Sequence, residues 1–247
     1  MIQDLRYSVR LLIKSLGFAL AAILSLALGI GATTAVFSVI YAALINPYPF
    51  RAADRIMRMS VRTKDGSVDP VNLNTRQLQQ LRDVPLIENV LAMDFHAMTL
   101  TGRELPENVN VIGLISNGFE DLGMRTVLGR GLSRSDAVEG RDPEPVAVLA
   151  YEFWQERLGG DPDVVGKTLQ LDRKNYTIVG VAGPRFRWYM ADVYLPLNLR
   201  PDPDHFCIVD FHLRPGVARQ APDAALEPLL QQFAREMPKR LPEQFHA

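Results

Sequence analysis

An uncharged apolar run between Lys14 and Arg51 is the feature that most constrains this chain. A helix needs about 20 apolar residues to cross the hydrocarbon core of a bilayer, and this run has roughly 30. It therefore predicts a transmembrane helix over residues 16–46. A secretory signal is a poorer interpretation, because its apolar region is only about 7–15 residues long and ends at a small-residue cleavage site. A buried core helix is also disfavoured, since such helices rarely run so far without a charge.

The charges on either side of the run predict its orientation. Before the run, Asp4 is opposed by three basic residues, Arg6, Arg10 and Lys14. Basic flanks stay on the cytoplasmic side of a membrane, although the arginines that follow the run weaken the bias. We therefore expect a cytoplasmic N-terminus at the bacterial inner membrane and a periplasmic chain from about residue 47 onward. Residues 1–15 have the pattern of a basic amphipathic arm in the membrane interface, or of a solvated extension of the span.

The bulk composition limits the class of function. The net charge is −1, so no nucleic-acid footprint is indicated. The single cysteine, Cys207, excludes an internal disulfide and is expected to be a small buried apolar residue. The roughly 200 residues that follow the run are enough for an ordinary hydrophobic core.

The rest of the sequence alternates between short helical and strand patterns, which predicts an α+β fold. Helices are expected at residues 72–83, 116–124, 151–158 and 221–237. Strands are expected at residues 55–61, 88–100, 109–115, 145–150, 166–171, 176–181, 192–195 and 207–214. Residues from about 116 to 200 have the pattern of a compact module, which suggests a second lobe inserted into the first.

Catalytic and metal-binding motifs are not found in the sequence. The four histidines are scattered, and the Gly-x-x-x-x-Gly-Lys-Ser/Thr phosphate loop is missing, so we expect a non-enzyme without a cofactor. Asp202, Asp204 and His205 lie close enough in sequence to bind a cation, but a solvated loop is the better interpretation. Asp210 and His212 share one face of a predicted strand and are expected to form a surface pair.

Two sets of residues are candidates for contacts with partners. Gly29, Gly31 and Ala35 are small and lie in the apolar run, where small residues let helices approach closely in lipid. Mere tolerance of glycine in a span is the alternative. The second set belongs to the aromatic stretch after Pro184, which either packs in the core or forms an exposed loop tip facing a partner: Phe186, Trp188 and Tyr189.

A series of short motifs resembles one protein family. The first part carries LGF at 16–18, ALGIGATTAVFS at 27–38 and NPYPF at 46–50. The second part carries SNGFEDLGM at 116–124, FWQERLGGDP at 153–162, VGKTL at 165–169, YTIVGV at 176–181 and LRPGV at 213–217. In this order they are similar to the first span and periplasmic core of MacB-like, FtsX-type ABC transporter permeases, the acidobacterial group in particular.

The resemblance implies a fold and a set of partners. The span would be the first of four, and residues 47–247 would form a periplasmic core with a porter-like lobe and a second inserted lobe. A separate subunit or domain would hydrolyse ATP, and the periplasmic part would pass the movement to substrates or partner proteins. The expected partners are that subunit, the remaining permease spans or a second permease copy, and membrane lipid.

The sequence departs from this family pattern in one respect. It holds one apolar run of spanning length and ends at Ala247, so we interpret it as the N-terminal piece of a permease. The alternative is a stand-alone, membrane-anchored periplasmic binding or scaffold protein without transport activity. A membrane-tethered hydrolase is the weakest hypothesis, because no set of residues supports it.

Overall fold

The computed structural model describes residues 16–40, 50–62, 68–102, 105–200, 202 and 205–236. The chain divides into two compact units, Met1–Pro49 and Phe50–Ala247. The amphipathic arm expected at residues 1–15 lies outside the described residues, as do residues 41–46 of the expected span.

The first unit contains helix α1, Leu16–Ile40, which has 25 residues and no charged side chain. Its stretch Gly17–Ser38 is long and apolar enough to cross a membrane. The Thr33 hydroxyl donates to the carbonyl oxygen of Gly29, 2.7 Å away, so this polar group is satisfied within the helix. The helix agrees with the predicted span over the residues that the structure describes.

The second unit is a mixed α+β fold. Its further helices are α2 (Thr75–Arg82), α3 (Gly118–Asp121), α4 (Tyr151–Arg157) and α5 (Ala221–Glu236). Its first six strands are β1 (Ile56–Arg58), β2 (Ser60–Arg62), β3 (Val68–Pro70), β4 (Asn72–Leu73), β5 (Ile87–Thr101) and β6 (Glu107–Leu114). The others are β7 (Thr126–Gly129), β8 (Val146–Leu149), β9 (Thr168–Leu171), β10 (Lys174–Ala182), β11 (Val193–Pro196) and β12 (Cys207–Leu213).

Most of these strands form one sheet. Its order is β1-β12-β5-β6-β11-β8-β10-β7, with β4 paired to β12 and β9 paired to both β10 and β5. The pairs β6–β11 and β8–β10 are parallel, and the other pairs of this sheet are antiparallel. Strands β2 and β3 form a separate hairpin-like pair. Strand β12 therefore lies between β1, the first strand of the unit, and β5, the longest.

Local sequence explains where α2 begins. The Asn74 side chain accepts a hydrogen bond from the Gln77 amide at 3.0 Å, and the Gln77 side chain accepts one from the Asn74 amide at 3.1 Å. This reciprocal capping box satisfies two amides that the first helical turn cannot. Leu78 and Leu81 are buried, as the helical pattern of the sequence predicts.

Two clusters of buried apolar residues form the core. One takes side chains from residues 91–195, and the other takes them from residues 59–92, from Ile115 and from residues 197–233. Strands β7–β11 nevertheless continue the sheet that β5 and β6 begin. The fold class, one apolar helix followed by a mixed α/β core, is confirmed, while the inserted lobe at about 116–200 stays a prediction.

The structure differs from the sequence interpretation mainly in short elements. Helix α3 is only four residues long, although the pattern predicted a helix over 116–124. Strand β7 was not expected at all, because its four residues carry no alternating pattern and form a strand through pairing with β10. Cys207 is buried, as expected.

Candidate functional site at the start of the folded unit

Phe50 is the first residue of the second unit, and its ring packs against two aromatic side chains. The Trp188 ring meets the Phe50 ring edge-on, with 4.5 Å between the ring centroids and 81° between the ring planes. Phe186 lies on the same ring, with a centroid distance of 6.0 Å. Edge-to-face pairs of this kind add about 0.5–1.5 kcal/mol to the free energy gained from burying the rings. The segment around Trp188 therefore fixes the place where the chain joins the unit.

The backbone of Arg51 is held by two further elements. Its amide donates to the carbonyl oxygen of Leu122, 2.8 Å away, just after α3. Its carbonyl oxygen lies 3.1 Å from Nε2 of His212, on β12. We refer to Leu122, Phe186, Trp188 and His212, together with the Phe50–Arg51 segment that they hold, as the junction clasp.

Trp188 is anchored on both its ring and its backbone. The indole Nε1–H points at Sδ of Met93, 3.2 Å away on β5. The Trp188 amide donates to the Tyr194 hydroxyl at 2.9 Å. Tyr194 is fully buried, and this burial raises the pKa of its phenol, so the hydroxyl stays a neutral hydrogen-bonding group. The clasp thus rests on side chains of the core.

The two residues after Trp188 adopt left-handed backbone conformations. Tyr189 has φ = 50° and Met190 has φ = 59°, values that cost non-glycine residues energy. The Tyr189 hydroxyl donates to Oδ2 of Asp210 at 2.9 Å, and Arg58 donates from Nε to Oδ1 at 2.9 Å. The Arg58 guanidinium also lies over the Tyr189 ring, 4.9 Å from its centroid. These contacts compensate for the strain and tie the segment to β1 and β12.

Asp210 and His212 are buried, which corrects the expectation of a surface pair. Each takes its own partner instead of the other: Asp210 binds Arg58 and Tyr189, and His212 binds the Arg51 carbonyl. Burial raises the pKa of Asp210, while the hydrogen bond from Arg58 opposes that shift. The reason is that β12 is an interior strand of the sheet, with β1 on one side and β5 on the other.

A second polar cluster lies at the other end of β12. Nε2 of His205 lies 2.7 Å from Oδ2 of the buried Asp94, and Nε2 of His96 lies 3.0 Å from Oδ1. Asp94 supplies the partner of His205, so this histidine is not part of a merely solvated loop. Within the described ranges no group of three potential metal ligands has the geometry to hold an ion.

With this geometry established, we compared the chain with known proteins. Residues 19–229 match the family described as MacB-like periplasmic core domain. The chain belongs to this family. The family is a permease domain family and not a family of classical enzymes. No curated protein matches the chain.

Solved structures of MacB-like proteins share the fold. The periplasmic region of MacB from Actinobacillus actinomycetemcomitans superposes with a TM-score of 0.58 at 16% identity, covering 72% of this chain and 84% of that one. The extracellular domain of the noncanonic ABC-type transporter YknZ from Gram-positive bacteria gives 0.56 at 13% identity, covering 75% and 95%. A domain of a putative permease from Porphyromonas gingivalis gives 0.54 at 19% identity, covering 78% and 87%.

The predicted resemblance to MacB-like permeases is therefore confirmed. With the apolar helix α1, the match makes this a membrane-anchored protein whose folded unit is extracytoplasmic. The MacB-like core domain occupies most of the sequence, and the junction clasp lies inside the matched residues.

The small residues of α1 lie on two sides of the helix. At 3.6 residues per turn, Gly29 and Gly31 lie about 160° apart, whereas Gly31 and Ala35 lie within about 40° of each other. All three are exposed in the single chain. A packing role for Gly29, Gly31 and Ala35 stays a prediction.

The aromatic set also needs a correction. Trp188 is only 6% exposed, so the expectation that it forms an exposed loop tip is wrong. Its indole contacts Met93 and the Phe50 ring, and its backbone amide donates to the Tyr194 hydroxyl. Phe186 and Tyr189 are half-buried, and Met190 beside them is 58% exposed. Contact of this segment with a partner stays a prediction.

Sequence reasoning singled out Phe186, Trp188 and His212 but did not predict that they meet at one segment. It singled out neither Leu122 of the clasp nor Arg58 and Met93, which contact Tyr189 and Trp188. His212 and Trp188 are 24 residues apart in sequence and meet only because both are brought to the Phe50–Arg51 segment. Two signals pointed to this region, the alternation of Asp210 and His212 along a strand and the aromatic stretch after Pro184.

Proposed function

We propose that this chain is a permease component of an ABC-type export or mechanotransmission system. In this role the extracytoplasmic unit passes conformational change between the membrane part and a substrate or partner. The observation that carries the proposal is the MacB-like core domain joined in sequence to an apolar helix of spanning length. The chain itself performs no catalysis, and ATP is hydrolysed on a separate subunit or domain.

The junction clasp supports this proposal because it holds the chain at the place where force enters the unit. Ring packing, the bond to Leu122 and the bond to His212 act on two consecutive residues. A displacement of Phe50–Arg51 must therefore move β12 and the Trp188 segment with it. Protein interiors are close-packed and transmit such strain with little loss.

The proposal includes the placement and partners of the chain. The N-terminus lies in the cytoplasm and the folded unit in the periplasm, with α1 in the inner membrane. The remaining permease spans, or a second permease copy, pack on α1 through Gly31 and Ala35 or through Gly29, and lipid covers the rest. The segment Phe186–Trp188–Tyr189 presents Tyr189 and its exposed neighbour Met190 to a partner.

Two experiments test the proposal. The gene of this chain, or the DNA that follows it, should encode three further spans, and an adjacent gene should encode an ATP-binding subunit. If neither is present, the stand-alone scaffold protein becomes the better interpretation. The purified chain should show no ATP turnover, whereas the complete permease reconstituted with its ATP-binding subunit should show turnover coupled to transport.

The clasp provides a sharper version of the second experiment. In the reconstituted complex, Trp188→Leu should lower transport more than ATP turnover. The ATP-binding subunit still hydrolyses ATP, but its movement is transmitted less well to the extracytoplasmic unit. Trp154→Leu truncates a buried tryptophan outside the clasp and serves as the matched control. Equal losses of transport and turnover in Trp188→Leu would argue that the clasp only stabilises the fold.

A further inference from the structure

An open cleft beside helix α2 holds polar groups that the fold itself does not use. The cleft has a volume of about 470 Å³ and lies between the last turn of α2, the first residues of β5 and the loop that follows β7. A space of this size can take a small organic molecule. We call it the α2 cleft and define it by six of its lining residues: Arg82, Ile87, Val90, Ser116, Arg134 and Leu199.

The floor of the α2 cleft is apolar. Ile87 and Val90 of β5 are buried, and so is Leu199, which follows β11. All three belong to one cluster of the hydrophobic core, so core packing fixes their positions. A ligand that covers these side chains gains free energy from the apolar surface that both molecules remove from water. The floor therefore favours a ligand with an apolar part.

Ser116 contributes an unused hydroxyl to the wall of the cleft. The residue is only 6% exposed, yet its hydroxyl has no hydrogen-bond partner among the described residues and is not sealed off inside the core. Because Ser116 lines the cleft, the hydroxyl is available to a molecule bound there. An unpaired polar group in a nearly buried position costs free energy, and a ligand that supplies the missing hydrogen bond recovers it.

Two guanidinium groups line the same cleft. Arg82 lies in the last turn of α2 and Arg134 in the loop after β7, and neither forms an ion pair or a hydrogen bond with the part of the chain that the structure describes. Burial raises the pKa of Asp121, and Arg134 has the smallest effect among the groups that shift this pKa. The planar guanidinium group is suited to carboxylates and phosphates, which it binds through two parallel hydrogen bonds.

The acidic side chains of the cleft are already engaged. Glu88 forms an ion pair with Arg55, directly before β1, and Glu139 accepts a hydrogen bond from Gln79 of α2. With Glu88 neutralised by Arg55, the two arginines of the cleft outweigh the single charge of Glu139. The hydrogen bond between Gln79 and Glu139 also ties α2 to the loop after β7, and so it holds two sides of the cleft together.

The loop that carries Arg134 is held in place by its own hydrogen bonds. The buried Asp136 accepts from both terminal nitrogens of Arg130, at 2.6 and 2.9 Å, and from the Ser133 amide at 2.7 Å. These bonds fix the backbone on both sides of Arg134. A site that is ordered before the ligand arrives loses less conformational entropy on binding.

We propose that the α2 cleft binds an organic anion. Arg82, Arg134 and Ser116 donate hydrogen bonds to its carboxylate or phosphate group. The apolar part of the molecule lies on the buried side chains of the floor. The site does not depend on the proposed transport role, since the folded unit alone forms it.

Binding measurements on the full chain in nanodiscs of zwitterionic lipid test this site. The probes are phenyl phosphate and 3-phenylpropionate, titrated in saturation-transfer-difference NMR, and empty nanodiscs correct for uptake by lipid. Benzyl alcohol and inorganic phosphate serve as comparison molecules, because each keeps only one half of the ligand. We expect both organic anions to bind with a Kd of about 1 mM or below, and both comparison molecules to bind at least about tenfold more weakly.

Variants of the charged wall identify the site. Arg82→Gln and Arg134→Gln should each weaken the binding of phenyl phosphate about tenfold, because each removes a charged donor. Arg76→Gln is the matched control, since Arg76 is an exposed arginine of the same helix that does not line the cleft. It should bind phenyl phosphate as the wild type does.

Ser116→Ala separates binding from folding. It should weaken the binding of phenyl phosphate about threefold or more, whereas thermal unfolding should not change, because the hydroxyl has no partner within the fold. The proposal would be overturned if neither organic anion showed saturable binding, or if benzyl alcohol or inorganic phosphate bound as tightly as phenyl phosphate. Arginine variants that bind no more weakly than Arg76→Gln would overturn it as well.

Discussion

The indole of Trp188 packs edge-on against the ring of Phe50, 138 positions away in sequence, with 4.5 Å between the ring centroids. This contact joins the first residue of the folded unit to a side chain that is only 6% exposed. Through Trp188, the start of the unit is packed against the core that contains Met93 and Tyr194. The stability of the fold and the attachment of the chain to it are therefore linked.

Truncation of Trp188 should destabilise the unit strongly. Replacing a buried tryptophan by alanine costs about 3–5 kcal/mol through lost burial and the cavity that remains. We expect a loss of that size in the free energy of unfolding of Trp188→Ala, measured by denaturant titration. Met190→Ala, at a 58% exposed position, should change it by less than about 0.5 kcal/mol. Similar losses in both variants would contradict the burial of Trp188.

The Tyr189 hydroxyl should contribute through Asp210, to which it donates, and through Arg58, from which it accepts. In Tyr189→Phe the buried carboxylate loses one donor while Arg58 remains, so unfolding should become easier by about 1–3 kcal/mol. Tyr151→Phe is the matched control, because the Tyr151 ring packs on Trp154 and its hydroxyl has no hydrogen bond to the described residues. An unchanged stability in Tyr189→Phe would mean that water replaces the hydroxyl at Asp210.

Stability should depend on pH through His96. Because Asp94 raises its pKa, the wild type should be more stable than His96→Gln at pH 6, and the difference should disappear as the pH rises toward 9. The side chain is 51% exposed, so solvent screening keeps the difference below about 1 kcal/mol. Thermal unfolding of both proteins across this pH range measures it. A difference that grows with pH would show the opposite sign of coupling.

Gly113 should tolerate no side chain while Asp94 is present. The added Cβ of Gly113→Ala would displace the Asp94 carboxylate, which we expect to cost about 1–3 kcal/mol in the free energy of unfolding. In an Asp94→Ala background the same substitution should cost clearly less, since the space is then free. A double-mutant cycle gives the coupling directly. Additive effects would show that Gly113 is required for another reason.

Substitutions in α1 should separate its two small-residue sides. If Gly31 and Ala35 face a partner helix, Gly31→Leu should reduce co-purification of the remaining permease spans, whereas Gly29→Leu should not. The opposite result would assign the interface to the other side of the helix. Leu28→Ile conserves volume and serves as the control. If co-purification is unchanged in both glycine variants, neither Gly29 nor Gly31 packs against a partner helix.

The sequence alone determined the elements whose signals are local. The uncharged run predicted α1, because length and apolarity decide whether a helix can span a bilayer. The capping pair Asn74–Gln77 and the burial of Leu78 and Leu81 follow from residue spacings within a single helix. The motifs from Ser116 onward indicated the MacB-like core.

Only the tertiary structure decided which polar and aromatic side chains are buried. Asp94 and His205 are 111 positions apart, and no local pattern links them. Trp188 and His212 reach the Phe50–Arg51 segment because the sheet places β12 between β1 and β5. Burial and partner choice at these positions depend on sheet order, which is a property of pairing between distant strands and not of the residues in any one of them.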